Sequence, residues 1–222
     1  MALRQGNYMS PPRVRTELPL ALVETSFLAS TASLAWLASF YLSLTPILRL
    51  FLPIPLALAT RRWGHRWGWL GLVTTFLLLS VLMGPPRGLA YILRYGFLAV
   101  MLGYHWRRGT GWGMTIAQAI GVGTVGFFAQ IGLLSVLVGE DLWLYVTNQA
   151  TGALEWLLDR LGILWQPTVL AIQVATVVLV MINAAVYTFV VQLVSWALLE
   201  RLDAPVPPPP HWLRAWLGLD DA

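Results

Sequence analysis

Three polar side chains stand well inside apolar runs of this chain: Arg94 in the run 88–104, Gln130 in the run 112–138 and Gln173 in the run 167–199. At about 1.5 Å of helical rise per residue, each lies roughly 9 to 12 Å from the end of its run that faces outward in the topology derived below. A guanidinium and two amides at one level suit a small anionic or polar ligand, and Arg49 and Arg87 stand nearer the mouth. The ligand-binding candidates are therefore Arg49, Arg94, Gln130 and Gln173, against the alternative that Arg94 snorkels outward and Arg49 marks the interface. A second layer, Glu24, Gln118 and Gln192, lies toward the opposite face, where Glu24 serves either as a proton carrier or as a structural carboxylate. Gln173, Thr176, Asn183 and Tyr187 project along one stripe of the last run, which lines a pocket or holds helices together.

Other chemistries find no residues to perform them. With no cysteine and three scattered histidines there is no thiolate nucleophile and no metal-ligand cluster. No phosphate-binding glycine loop, Ser-His-Asp order or His-Glu-x-x-His helix is present, so the chain is expected to be neither an enzyme nor a cofactor protein. A channel would need a ring of polar residues, which requires an oligomer.

The elements that position these residues follow from composition. The 222 residues are 58% hydrophobic and only 11% charged, and the mean hydropathy is +0.69, which describes an integral membrane protein rather than a soluble domain. The run 18–60 would span about 65 Å as one helix, twice a hydrocarbon core, so it must turn once, at Ser43-Leu44-Thr45-Pro46. The expected architecture is all-α, a bundle of six transmembrane helices at 18–44, 46–60, 67–83, 88–104, 112–138 and 167–199. Residues 1–17 form an N-terminal segment, 18–199 the membrane domain with an outer interfacial stretch at 140–166, and 200–222 a proline-rich tail.

All fourteen basic residues are arginine. With six crossings and both ends inside, ten of the fourteen face the cytoplasm, while Arg87 and Arg160 face outward with Glu140, Asp141, Glu155 and Asp159. Trp63, Trp67, Trp69, Trp106, Trp112 and Trp196 then form an inner aromatic belt, and Trp143, Trp156 and Trp165 an outer one. Topology thus accounts for the net charge of +4, and no nucleic-acid partner is expected. A secretory signal ending at Ala32 competes poorly, because the apolar run continues beyond it.

Two segments are not expected to cross. In 151–165, Leu154, Leu157, Leu158, Leu161 and Trp165 recur at helical spacing opposite Glu155, Asp159 and Arg160, as in a helix lying on the outer interface. In the tail, Pro205 and Pro207 to Pro210 form a polyproline spacer before the amphipathic stretch His211 to Leu217. Small residues also recur every fourth position at Ala21, Thr25, Ala29 and Ser33, and again at Ala117 with Gly121 and Ala119 with Gly123, leaving grooves for a neighbouring helix, within the chain or from a partner.

Several of these motifs together resemble a known family. They are Leu22-Val23-Glu24, Leu52-Pro53-Ile54-Pro55-Leu56-Ala57 before Arg61-Arg62-Trp63-Gly64, Leu82-Met83-Gly84-Pro85-Pro86, and Tyr95-Gly96-Phe97-Leu98 running to Gly103-Tyr104 and Arg107-Arg108. Over 22–148 the chain is similar to the YybS-like family of predicted membrane proteins, domain of unknown function 2232, and its tail looks like that of cyanobacterial members. The resemblance implies the fold of the substrate-binding S-components of energy-coupling-factor (ECF) transporters, with six helices, cytoplasmic ends and a ligand entering from outside near Arg49, Arg94, Gln130 and Gln173. It further implies that Ala21, Thr25, Ala29 and Ser33 dock a transmembrane subunit tied to an ATPase module. The expected function is a small-solute-binding subunit in a plasma or thylakoid membrane. The alternative is a non-enzymatic scaffold or assembly factor for membrane complexes, photosynthetic ones included, with membrane lipids and other membrane subunits as partners.

Overall fold

The computed structural model describes residues 14–42, 45–160, 162, 168–200 and 206–210. Among them the regular structure is helical throughout: α1 (Val14–Tyr41), α2 (Thr45–Phe51), α3 (Ile54–Trp63), α4 (His65–Met83), α5 (Pro85–Tyr91), a π-helical turn (Ile92–Gly96), α6 (Phe97–Arg108), α7 (Trp112–Val138), α8 (Leu142–Arg160) and α9 (Val169–Glu200). Four helical stretches are long and apolar enough to cross a membrane: Leu18–Tyr41, His65–Met83, Trp112–Val138 and Val169–Glu200.

The other two expected crossings come in pieces. The stretch expected at 46–60 is divided between α2 and α3, because Pro53 and Pro55 lack the backbone N–H groups a continuous helix would need there. The stretch expected at 88–104 is longer, starting at Pro85 immediately after Gly84, whose φ of 91° ends α4. From Pro85 the helical path runs through the π turn to Arg108, roughly 36 Å at helical rise. A π turn carries one extra residue per turn, which hydropathy spacing does not reveal.

Packing follows the small residues. Helix α1 lies against α4 and α3, α3 against α6, and α7 against α9. A Cβ on Gly103 of α6 would strike the carbonyl of Ala57 on α3, and one on Gly126 of α7 would strike the carbonyl of Leu93 in the π turn. Only glycine permits those approaches. One core cluster gathers Trp36, Leu52, Leu56, Leu72, Leu79, Tyr91 and Tyr95. A second joins Ala57, Leu102, Trp106, Ala119, Val191 and Leu199 with Val206 of the tail. Much of α7 and α9 outside these contacts is exposed and apolar, including Val125, Val136, Leu170 and Leu179, as suits helices whose backbone bonds are satisfied internally and whose side chains meet lipid.

The small-residue row of α1 packs within the chain, one of the two alternatives that its spacing leaves open. Ala21, Thr25, Ala29 and Ser33 are all buried, at 2%, 4%, 0% and 1% exposure. Helix α4 of the same chain covers them: the Thr75 hydroxyl donates to the Ala29 carbonyl at 3.4 Å, and Gly71 leaves room for the Thr25 methyl. In this structure the row Ala21, Thr25, Ala29 and Ser33 is thus occupied by packing within the bundle. The amphipathic helix expected at 151–165 belongs to a longer element, α8, that begins at Leu142, where Asp141 caps it by accepting hydrogen bonds from the Trp143 and Leu144 N–H groups. Leu161 and Trp165, the N-terminal segment 1–13 and the tail stretch 211–222 lie outside the described residues.

Candidate ligand cavity

The site is built around the π turn. Widening the helix at Ile92–Gly96 places Arg94 and Tyr95 at an irregular point of an otherwise regular rod, a feature that recurs at functional sites. Gly126 lets α7 close on the Leu93 carbonyl, and Gln130, four residues further along, projects from the same face of α7. Arg49 comes from the last turn of α2, where the proline break ends the helix. Tyr187 of α9 donates its hydroxyl to the Arg49 carbonyl at 2.8 Å and so ties α9 to α2 beside the site.

Two open cavities share Arg49, Arg94 and Tyr95 in their walls. One, of about 420 Å³, is completed by Trp36, Ser39 and Phe40 of α1 and by Gln130. The other, of about 290 Å³, extends toward Phe127, Asn183 and Tyr187. Aromatic rings form the wall between helices: Trp36 packs on Tyr95 at 5.5 Å between centroids and Tyr95 on Tyr187 at 6.0 Å. The Arg94 guanidinium sits 5.9 Å from the Tyr95 ring centre. The side-chain oxygen of Gln130 is buried with no hydrogen-bond partner, as is the Trp36 indole nitrogen.

The electrostatics of this arrangement are one-sided. No carboxylate lines either cavity among the described residues, so two guanidiniums face a largely aromatic space without an anion of the protein's own. Such a site can hold an anionic group by charge-assisted, bidentate hydrogen bonds and an apolar or aromatic body against the tyrosines and Trp36.

Arg49, Arg94 and Gln130 are thus brought together, and Gln173 is not. Gln173 lies ten residues before Asn183 on α9, about 15 Å away at helical rise, and is not among the residues that line either cavity. The contribution of α9 to the cavity comes instead from Asn183 and Tyr187, further along the same polar stripe. Arg87 lies outside the walls, its guanidinium 5.2 Å from the Phe40 ring centre. Trp36 and Ser39 carried no signal in the sequence, because neither type is unusual in a membrane helix; Tyr95 lay within a family motif without any role attached to it.

Two of the three polar residues of the second layer are locally paired. Glu24 forms an ion pair with Arg62 and accepts the Trp63 indole N–H at 3.1 Å, fastening α1 to the end of α3. Gln118 pairs with His105 at 2.8 Å between side chains. Gln192 is buried at 1% exposure with its amide nitrogen unpartnered. The tail contributes structure as well: the Trp112 indole donates to the Pro207 carbonyl at 3.0 Å, and Val206 is buried.

These features define an all-helical, multi-pass membrane protein with a cationic, aromatic-walled cavity between α1, α2, the π turn, α7 and α9. The chain belongs to the family of predicted membrane proteins DUF2232, whose model matches residues 30–216. No curated protein and no solved structure matches it.

Proposed function

We propose that the protein is a membrane-embedded binding subunit for a small anionic solute, without enzymatic activity, and that it serves transport in the manner of the ECF S-components it resembles. The observation that carries this reading is the meeting of Arg49, Arg94 and Gln130, from three separate elements, on one cavity with no carboxylate among the described residues of its walls. In the proposed topology α2 with α3 and α5 with α6 count as the second and fourth of six crossings, and both chain ends are cytoplasmic. The arginine distribution supports that orientation. Energy for transport would come from a separate ATPase-bearing partner, engaged elsewhere than on the small-residue row of α1.

Two experiments test the reading. Protein purified in mild detergent is denatured and its small-molecule content measured by mass spectrometry. An anionic compound is expected at near-stoichiometric amount in the wild type and depleted in Arg94→Gln; an unchanged load in the variant removes Arg94 from the site. Because the chain holds no cysteine, single cysteines introduced at Ala2 and Ala222 report sidedness with a membrane-impermeant thiol reagent. Labelling of the two ends from opposite sides would overturn the topology.

A further inference from the structure

A second, chemically different cavity lies on the flank of the bundle. An apolar groove of about 960 Å³ opens between α4, α6 and α7, walled by Leu93, Phe97, Val100, Val122 and Val125. Its floor includes Gly121, where an added Cβ would meet nothing within 4 Å. Along α7 it extends from Gln118 to Ala129, roughly 16 Å at helical rise. That is about half of a 30 Å hydrocarbon core, the depth of one leaflet. The groove's length and its apolar walls suit an acyl chain.

One end of the groove is polar. His65, Trp69, Tyr104, His105 and Gln118 line it there, with the Trp69 indole N–H donating to His65 at 2.6 Å. Three exposed arginines stand next to that end. Arg66 follows His65 in the chain; the Arg108 guanidinium lies 4.4 Å from the Tyr104 ring centre; and Arg107 reaches the backbone of Gly64, 2.8 Å from where a Cβ would be. None of the three is paired with a carboxylate among the described residues, and Glu24 is taken by Arg62.

We infer that this groove holds an anionic phospholipid, its phosphate at Arg66, Arg107 and Arg108 and its acyl chains along Gly121 and the apolar wall of α6 and α7. An apolar trough one leaflet deep that ends in an unpaired cationic cluster is complementary to an amphiphile with an acidic head. Neither the arginines nor the glycine belongs to the solute cavity, so the inference stands or falls separately from the transport reading.

The test uses the full-length, delipidated protein in detergent, titrated with phosphatidylglycerol or with phosphatidylcholine of the same acyl chains and read by native mass spectrometry. The wild type should bind one phosphatidylglycerol in preference to phosphatidylcholine. At about 1 kcal/mol per arginine near a membrane surface, or roughly fivefold each, Arg107→Gln with Arg108→Gln should cut the preference about 25-fold. Gly121→Leu fills the groove in open space and should weaken both lipids while leaving thermal stability intact. Glycerol phosphate, which offers the head without the chains, should not compete. Equal binding of the two lipids by the wild type, full competition by glycerol phosphate, a preference that survives Arg107→Gln with Arg108→Gln, or unchanged lipid binding by Gly121→Leu would each overturn the proposal.

Discussion

Substituting alanine for Gly126 tests the geometry of the solute cavity without touching any polar group in it. The added Cβ would collide with the Leu93 carbonyl, a backbone atom of the π turn that cannot swing away as a flexible side chain would. Helix α7 must then withdraw from the turn, at an overpacking cost of about 1–3 kcal/mol. For a chain of this size the loss corresponds to roughly 2–4 °C in midpoint per kcal/mol. The retreat also carries Gln130 away from Arg94. A shift of even ~0.5 Å moves a hydrogen bond of good length toward the 3.5 Å limit, so a ligand held by both groups should bind at least about tenfold more weakly. Gly132→Ala, in the same helix, is the control: a Cβ there meets nothing within 4 Å, and replacing glycine within a helix should stabilise by roughly 0.5–1 kcal/mol. Thermal unfolding in detergent and ligand retention are measured on both variants. Matching behaviour of the two, with Gly126→Ala as stable and as well loaded as wild type, would refute the close approach of α7 to the π turn.

Other consequences are more local. Glu24→Gln keeps the shape but removes the charge that binds Arg62 and Trp63; with the Glu24 side chain 21% exposed and that of Arg62 52% exposed, the loss should be about 1 kcal/mol, seen as a midpoint lowered by roughly 2–4 °C. Ala29→Leu should destabilise by about 1–3 kcal/mol, because α4 already closes over that position; an unchanged midpoint would mean that the face is free after all. Trp112→Phe preserves an aromatic ring against Phe189 but deletes the donor to Pro207, so the thermal midpoint should fall by roughly 2–4 °C, as loss of one hydrogen bond of about 1 kcal/mol implies.

What was legible in the sequence was whatever depends on one helix alone. Helix α7 starts at Trp112 and ends at Val138, as the apolar run and its flanking glycines indicate, because Gly139 in a left-handed conformation halts the helix after Val138. Features that depend on two helices were legible only in part. Small residues at fourfold spacing on α1 foretell close approach, yet the approaching helix is fixed by its own small residue, Gly71, and by Thr75, which no pattern on α1 specifies. The same limit explains Gln173. Depth counted along a helix does not say which of its polar residues meets the neighbouring helices, and on α9 it is Asn183 and Tyr187 that line the cavity. The π turn was hidden for a different reason: inserting one residue rotates the following face by about 100° without altering hydropathy, so Tyr95 and its wall of rings could not be assigned from periodicity. Arg49 and Arg94, by contrast, announce themselves through cost, since a guanidinium within an apolar run needs a specific reason to be there.

The most direct test of the central claim is a double-mutant cycle on the affinity of the co-purified anion. Arg49→Gln, Arg94→Gln and the double variant are compared with wild type by titration in detergent. Each charge-assisted hydrogen bond is worth about 1.5–3 kcal/mol, so each single change should weaken binding roughly 10- to 150-fold. If both guanidiniums grip one ligand in the shared cavity, the double change should weaken it by at least 1 kcal/mol less than the sum of the singles, about a fivefold departure from additivity. Strict additivity, or a single variant that binds as tightly as wild type, would contradict a common site.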